Sequence, residues 1–175
     1  MNILIVCSTN RKNSKSFIIS TIYKKHLDAH GIANEIINLA DLPHDFVFSA
    51  LYENGGKNDS FNVFRDKITQ YNKFIFVVPE YNGSFPGVLK AFIDGLKYPD
   101  SFRNKKAALV GLGDGAMGGA LALSHLSDVL SYLGTHVLGN RIKLAYIKQH
   151  LIDTNIEHKL YNELIENQIA DFIAF

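Results

Sequence analysis

Residues 3–7 read Ile-Leu-Ile-Val-Cys, and the polar stretch Ser-Thr-Asn-Arg-Lys-Asn-Ser-Lys-Ser at residues 8–16 leads from them into a helical pattern. Continuous apolar and β-branched residues without alternation indicate a strand that is buried on both faces, as in a parallel sheet covered by helices. Runs of the same type recur at residues 74–78, 107–112 and, more weakly, 136–138. The sequence therefore predicts a parallel sheet.

Helical patterns separate these apolar runs. Residues 35–39 alternate as a further strand, and helices are predicted at Ser16–His30, Phe61–Tyr71, Val88–Leu96, Ala120–Leu133 and Ile156–Phe175. Strands that alternate with helices form right-handed crossovers between parallel strands. Five strands and five helices predict an α/β fold, a flavodoxin-like doubly wound sheet in the order 2-1-3-4-5 with helices on both faces. The single long loop, Ala40–Asp59, is of a length that is commonly functional or mobile.

The composition indicates one soluble globular domain over residues 1–175, with 47% hydrophobic and 20% charged residues and a net charge of +1. This charge balance argues against nucleic acid held by many phosphate contacts. No run approaches the ~20 apolar residues that span a bilayer, so no membrane partner is expected. The lone Cys7 and the absence of signal-peptide features favour a cytoplasmic location. The histidines form no local ligand cluster, so no metal site is predicted.

The first loop, residues 8–16, has the composition of a phosphate cradle. Hydroxyls, amides and backbone N–H groups at a helix N-terminus attract an anion, and Arg11 adds a fork-shaped donor. The candidate ligands are Ser8, Asn10, Arg11, Ser14, Lys15 and Ser16. The alternative is an ordinary helix start with Ser14 as the cap and solvated lysines. The loop lacks the Gly-Lys-Ser/Thr ending of a nucleoside-triphosphate loop, which argues against an ATPase.

The second loop, residues 79–87, follows the central predicted strand and suits a flat heteroaromatic ligand. This loop combines aromatic faces, a side-chain amide and backbone donors and acceptors. Asn82 can both donate and accept hydrogen bonds, as recognition of a pyrimidine-like edge requires. A purely structural alternative is that Gly83 turns the chain and Pro86 starts a helix. Glu80 is a weaker candidate for a general base because no partner carboxylate is visible.

The third loop, residues 113–118, matches the dinucleotide fingerprint G-x-G-x-x-G. It follows the fourth strand rather than the first, and Leu138-Gly139-Asn140 stand where an acidic residue should hold the ribose. We therefore interpret it as a thin backbone loop that allows close approach of a ligand. Gly118 and Gly119 are expected to permit tight packing of the next helix.

Residues 79–94 carry a resemblance to a known family. They read Pro-Glu-Tyr-Asn-Gly-Ser-Phe-Pro-Gly-Val-Leu-Lys-Ala-Phe-Ile-Asp, which is similar to the signature of the NAD(P)H-dependent FMN reductases, a family that includes azo, quinone and chromate reductases. The first loop is similar to the family's phosphate-binding pattern Gly-Ser-x-Arg-x-x-Ser-x-Asn through Ser8, Arg11 and Ser14. It departs from the pattern by having Cys7 for glycine, one residue inserted before Arg11, and Ser16 for asparagine. The resemblance extends from Met1 to about Leu144.

The resemblance implies a flavin site and an activity. It places the following residues around the flavin ring: Pro79, Glu80, Tyr81, Asn82 and Gly83, with Asp114 and Gly115 approaching it. The implied enzyme binds FMN, takes hydride from NADPH or NADH, and passes electrons to a small-molecule acceptor such as free flavin or a quinone. The chemistry occurs at flavin N5, so no catalytic side chain is assigned. The family also implies a homodimer or homotetramer.

The alternative function is a flavodoxin-like electron carrier or regulatory flavin-binding module without nicotinamide turnover. Flavodoxin carriers are usually strongly acidic, so the net charge of +1 speaks against this reading.

Overall fold

Parallel strands form the centre of the protein, and the computed structural model describes all of residues 1–175. The main sheet contains β1 (Asn2–Cys7), β2 (Ala33–Asn38), β3 (Lys73–Pro79), β4 (Lys106–Leu112), β5 (His136–Val137) and β6 (Ile142–Leu144). Its order is β2-β1-β3-β4-β5, with β6 also paired to β4, and all pairings are parallel. The predicted flavodoxin-like order is confirmed.

The fifth position of the sheet is divided between two short strands, where the sequence predicted a single one. β5 pairs with the start of β4 and β6 with its end. The buried side chain of Gln168 fills the interruption, because its Nε2 donates to the carbonyls of Leu109 at 3.0 Å and Asn140 at 2.7 Å. Its Oε1 accepts a 2.7 Å hydrogen bond from the hydroxyl of Tyr23. A side-chain amide thus supplies partners that a continuous strand would have provided.

Helices cover both faces of the sheet. They are α1 (Lys15–Ala29), α2 (Phe46–Ser49), α3 (Asp59–Thr69), α4 (Gly87–Asp94), α5 (Ala120–Tyr132), α6 (Ile147–His150) and α7 (Lys159–Ala174). Buried residues of α1 and α7 pack on one face, and those of α3, α4 and α5 pack on the other. None of these helices has both the length and the apolarity that a bilayer span requires.

Two regions differ from the sequence prediction. The predicted helix Ile156–Phe175 begins only at Lys159, because a small antiparallel hairpin of β7 (Leu151–Ile152) and β8 (Asn155–Ile156) precedes it. The segment 40–59 is not a plain loop, since it contains α2 and a 3₁₀ turn at Tyr52–Asn54. Its Phe46 is buried and stacks on Phe61 with ring centroids 5.4 Å apart. This segment is therefore part of the core as well as a connection.

Candidate active site

The three predicted loops meet at the carboxyl edge of the sheet and line one cleft of about 540 Å³. This edge, near the point where the strand order reverses, is where ligands bind in open α/β sheets. The lining residues are Arg11, Lys12, Asn13, Ser14, Lys15, Ser16, Pro79, Glu80, Tyr81, Leu112, Gly113, Asp114, Ile147 and Lys148. The volume lies within the range of roughly 300–1,000 Å³ typical of small-molecule sites.

The N-terminus of α1 forms one wall of the cleft. Ser14 caps this helix, because its hydroxyl accepts a 3.2 Å hydrogen bond from the N–H of Phe17. The N–H groups of Lys15 and Ser16 lie in the first turn and have no carbonyl acceptor within the helix. Arg11 lies in the same wall with an exposed side chain. The wall therefore presents backbone donors and a guanidinium to the cleft, which is an arrangement suited to an anion.

Two predicted residues of the first loop lie outside the lining of the cleft. Ser8 is fully buried, and its hydroxyl donates to the carbonyl of Val6 at 3.1 Å. Asn10 is exposed. Their contact with a ligand stays a prediction.

The second loop begins with a tight hairpin turn. Tyr81 and Ser84 exchange backbone hydrogen bonds of 2.8 and 3.1 Å. Between them, Asn82 and Gly83 have φ angles of 51° and 75°. Two consecutive positive φ angles define a type I′ turn, for which Asn-Gly is the preferred pair. The turn explains these two residue types without a ligand. Both residues lie at the tip of the hairpin, outside the lining, so their contact with a flavin stays a prediction.

Hydrogen bonds connect the three loops. The hydroxyls of Thr9 and Tyr81 share a 2.7 Å hydrogen bond, and the Thr9 hydroxyl also accepts from the N–H of Arg11 at 3.2 Å. The N–H of Glu80 donates to the carbonyl of Leu112 at 3.0 Å. The second loop is thus attached to both of its neighbours. Thr9 carries no local signal in the sequence, because its importance depends on a contact with a residue 72 positions away along the chain.

The glycine pair of the third loop allows close backbone packing, as the sequence predicted. A Cβ on Gly118 would lie 2.8 Å from the backbone nitrogen of Ala145, and one on Gly119 would lie 3.0 Å from that of Leu112. Gly115 differs, because no atom lies within 4 Å of a Cβ built on it. Packing against the end of β6 therefore requires a glycine at Gly118, the last glycine of the fingerprint-like spacing, and packing against β4 requires one at Gly119, whereas packing does not require Gly115.

An ion pair crosses the cleft from the first loop to the third. The Lys15 ammonium contacts both carboxylate oxygens of Asp114, at 2.8 and 2.9 Å, and Asp114 also accepts from the N–H of Lys148 at 3.1 Å. The hydrogen bond from Lys15 is the main cause that lowers the pKa of Asp114 below its ordinary value. Asp114 is therefore charged at neutral pH.

Helix α6 provides a part of the cleft that was not predicted from the sequence. Ile147 and Lys148 follow β6, a strand too short to be recognised, and they reach the cleft because β6 ends beside β4. With Lys148, the lining contains four basic side chains and two acidic ones, Glu80 and Asp114. This excess of positive charge favours an anionic ligand.

A comparison with protein families agrees with this geometry, because the model of the NADPH-dependent FMN reductases matches residues 1–147. The chain belongs to this family. The match covers all three cleft loops, and it begins and ends close to the limits of the resemblance found in the sequence.

The named relatives of this chain are oxidoreductases. The chain is 33% identical over 166 residues to a 2-hydroxy-1,4-benzoquinone reductase from a Burkholderia species, a match that covers 89% of this chain and 84% of the relative. Among solved structures, a flavoenzyme NAD(P)H:acceptor oxidoreductase from Paracoccus denitrificans superposes with a TM-score of 0.78 at 22% identity, covering 99% of this chain and 95% of the other. An FMN-dependent NADH-azoreductase from Bacillus anthracis, solved with FMN, gives a TM-score of 0.63 at 14% identity over 97% and 99%. These two structures support the fold.

The cleft residues of this family member fit FMN. The N–H groups at the start of α1, the guanidinium of Arg11 and the excess of basic side chains match a phosphate dianion. Tyr81 and Pro79 supply an aromatic and an apolar surface next to this donor set. No cluster of three or more His, Cys, Asp or Glu side chains that could hold a metal ion is present.

Proposed function

We propose that the protein is an FMN-dependent oxidoreductase that accepts hydride from NADPH or NADH and delivers electrons to a quinone, free flavin or a similar small acceptor. The observation that carries this proposal is the meeting of the α1 N-terminus with the Pro79–Tyr81 segment in one cleft. The first supplies donors for a phosphate, and the second supplies surfaces for a flat ring. The family match supports the activity, and the Burkholderia relative supports a quinone acceptor.

The chain's residues would bind and orient the flavin. FMN, when bound, supplies the redox chemistry, taking hydride at N5 and releasing electrons to the acceptor. Arg11 and the N–H groups of Lys15 and Ser16 would hold its phosphate. Tyr81, fixed by its hydrogen bond to Thr9, would border the ring.

The other ring contacts complete this proposal. Pro79, Glu80, Asn82 and Gly83 would line the ring from the second loop, and Gly115 would approach it from the third, where an unobstructed backbone leaves room. Ser8 and Asn10 would assist at the phosphate end.

A homodimer or homotetramer is part of the proposal. Helices α4 and α5, which follow the second and third loops, are the candidates for the subunit contact. The apolar residues Leu89, Phe92 and Ile93 of α4 are buried within the chain, so α4 needs no partner to cover them. On α5, Leu121 and Tyr132 are 48% and 83% exposed. We therefore place the subunit contact mainly on α5. Sedimentation at micromolar concentration should show an oligomer, and a monomer would contradict this part of the proposal.

We also propose a cytoplasmic location, which fractionation of cells checks.

Two measurements test the flavin enzyme itself. Heat release of the bound ligand followed by mass determination should yield FMN, and recovery of FAD would contradict the phosphate assignment. Stopped-flow mixing of anaerobic holoprotein with NADPH or NADH should bleach the flavin within seconds, because hydride transfer requires only that the nicotinamide stack near N5. Dithionite serves as the control reductant. Bleaching by dithionite alone would favour the electron-carrier alternative.

A further inference from the structure

We propose that His125, positioned by Ser84, is a catalytic residue that protonates the electron acceptor of this enzyme. The acceptor is then a quinone or a similar aromatic carbonyl compound, because such a molecule needs a proton at each oxygen when it is reduced. This inference rests on the proposed oxidoreductase function and deepens it, since it assigns the acceptor to a place on the protein surface and names the group that it meets there.

A side-chain hydrogen bond joins the second loop to α5. The hydroxyl of Ser84 and Nδ1 of His125 lie 2.9 Å apart, although 41 positions separate the two residues in the sequence. Ser84 is half-buried and His125 is exposed. A hydroxyl oxygen can accept from the Nδ1–H, which leaves Nε2 to give or take a proton. The imidazole takes part in none of the seven ion pairs of the structure, so no carboxylate competes for its proton.

The hairpin of the second loop does not need this hydrogen bond. Backbone hydrogen bonds between Tyr81 and Ser84, together with the Asn-Gly pair between them, already close the turn. A single exposed hydrogen bond also adds little to the stability of a folded chain. A structural requirement therefore does not explain why the hydroxyl meets the imidazole. A hydrogen bond to one ring nitrogen does decide which nitrogen of a histidine exchanges protons.

His125 lies between the two loops that would contact the flavin ring. Ser84 directly follows Gly83, the last of the proposed ring contacts in the second loop, and α5 begins just after the third loop. A Cβ on Gly83 would lie 4.0 Å from a methyl group of Leu121, so the tip of the hairpin packs beside the first turn of α5. Leu121 is 48% exposed, and it shares one face of this helix with His125, four residues later. An apolar surface and a polar group that exchanges protons are what an aromatic carbonyl compound requires.

The proton balance of quinone reduction gives His125 a specific step. Conversion of a quinone to a hydroquinone adds two electrons and two protons. The flavin, when bound, supplies a hydride, which carries both electrons and one of these protons. The protonated imidazole supplies the other proton, because its Nε2–H bond breaks as an O–H bond forms on the acceptor, and water then returns a proton to Nε2. Ser84 accepts from the Nδ1–H throughout and is a positioning residue, since it acts through the imidazole.

The experiment measures the acceptor reaction by itself. Holoprotein that has been reduced anaerobically with stoichiometric dithionite is mixed in a stopped-flow instrument with duroquinone, a fully methylated benzoquinone, or with ferricyanide, which takes electrons without a proton. His125→Gln should lower the rate of oxidation by duroquinone about 100-fold, the lower end of the usual contribution of a general acid. Its rate with ferricyanide should stay within about twofold of the wild type. Glutamine suits an exposed helical position, so the variant should keep the fold.

Variants of Ser84 test the positioning role. Ser84→Ala should lower kcat with duroquinone by a smaller factor, about 3- to 10-fold, and leave KM almost unchanged, because the imidazole remains but is less well oriented. Ser84→Thr, which keeps the hydroxyl, should restore the rate. The matched control is His30→Gln, which removes another exposed histidine, whose Nδ1 lies 2.8 Å from the carbonyl oxygen of His26 at the end of α1. It should leave both acceptor reactions unchanged.

Binding of the product gives a second readout that does not depend on turnover. Durohydroquinone added anaerobically to oxidised holoprotein should shift the ring NMR signals of His125, which are assigned by their loss in His125→Gln. The signals of His30 should stay in place. Sedimentation of each variant checks that the assembly is retained, because the proposed subunit contact lies on the same helix as His125.

The outcomes separate the role of His125 from the proposed function. A wild-type protein that binds no flavin overturns both proposals. If the wild type passes electrons to ferricyanide but not to duroquinone, or if His125→Gln reacts with duroquinone at the wild-type rate, the proton-donor assignment is wrong and the FMN function stands. Equal losses with both acceptors, or losses that accompany dissociation of the oligomer, would likewise overturn the assignment, because they would show damage to the flavin site or to the assembly. Unshifted NMR signals of His125 would contradict its contact with the acceptor.

Discussion

Replacement of Gly118 by alanine should destabilise the protein strongly, although the glycine lies in a loop beside the cleft. Its φ angle is +52°, and a Cβ would lie 2.8 Å from the nitrogen of Ala145 and 3.0 Å from the carbonyl carbons of Lys143 and Leu144. These neighbours are backbone atoms at the end of β6, so no side-chain rotation can relieve the overlap. Either the third loop or the end of β6 must move.

The expected cost combines two terms. The left-handed backbone conformation costs about 1–2 kcal/mol for a residue with a Cβ. Overpacking against a fixed backbone adds about 1–3 kcal/mol. The sum of about 2–5 kcal/mol corresponds to a fall in Tm of roughly 5–15 °C for a chain of this length.

Urea denaturation of the apoprotein, followed by circular dichroism, measures this cost without any effect of flavin. Gly115→Ala is the matched control, because it lies in the same loop without a positive φ angle and with no atom within 4 Å of the added Cβ. The control should change the free energy of unfolding by less than about 0.5 kcal/mol. Equal stability of the two variants would refute the packing explanation of Gly118.

Three further predictions concern the cleft and the free energy of unfolding at acidic pH. Arg11→Ala should weaken FMN binding by about 1.5–3 kcal/mol in a fluorescence titration while leaving urea unfolding unchanged, and an unchanged FMN affinity would show that other donors hold the phosphate. Tyr81→Phe leaves the buried Thr9 hydroxyl without this partner, so it should lower the free energy of unfolding by about 1 kcal/mol; no loss would contradict the structural role of that contact. The hydrogen bond from Lys67 holds the pKa of Glu35 below its ordinary value of 4.5. The ionised Glu35 carboxylate therefore contributes its full stabilisation above pH 4.5, and this contribution is lost as the pH falls through the lowered pKa. The difference in unfolding free energy between the wild type and Glu35→Gln should shrink over that range. A difference that does not depend on pH would contradict this assignment.

The sheet order could be predicted because its central strands are uniform apolar runs. Residues 3–7 and 74–78 are buried on both faces, and such segments leave a clear signal. β6 has only three residues, with Lys143 exposed between two buried neighbours, which is too short a pattern to recognise. The segment 40–59 has turn residues at its ends, and its contribution to the core depends on the contact of Phe46 with Phe61, which no local pattern reveals.

The candidate site was predictable to the extent that its residues follow predicted strands. Arg11, Tyr81 and Asp114 all lie in loops that a parallel sheet must bring together at its carboxyl edge. Lys148 could not be located without β6. The pairing of Lys15 with Asp114 could not be predicted from the sequence either, because it depends on side-chain positions across the cleft.

The division of the fifth sheet position into two short strands affects how readily the protein aggregates at high concentration. An outer strand normally presents a row of free N–H and C=O groups on which another molecule can align and begin an aggregate. Here this edge of the sheet consists of a two-residue and a three-residue strand, and the Gln168 amide occupies the interruption between them. A strand from another molecule therefore meets no continuous row of N–H and C=O groups with which it could pair. The division of this edge into two short strands therefore protects this side of the molecule from edge-to-edge aggregation.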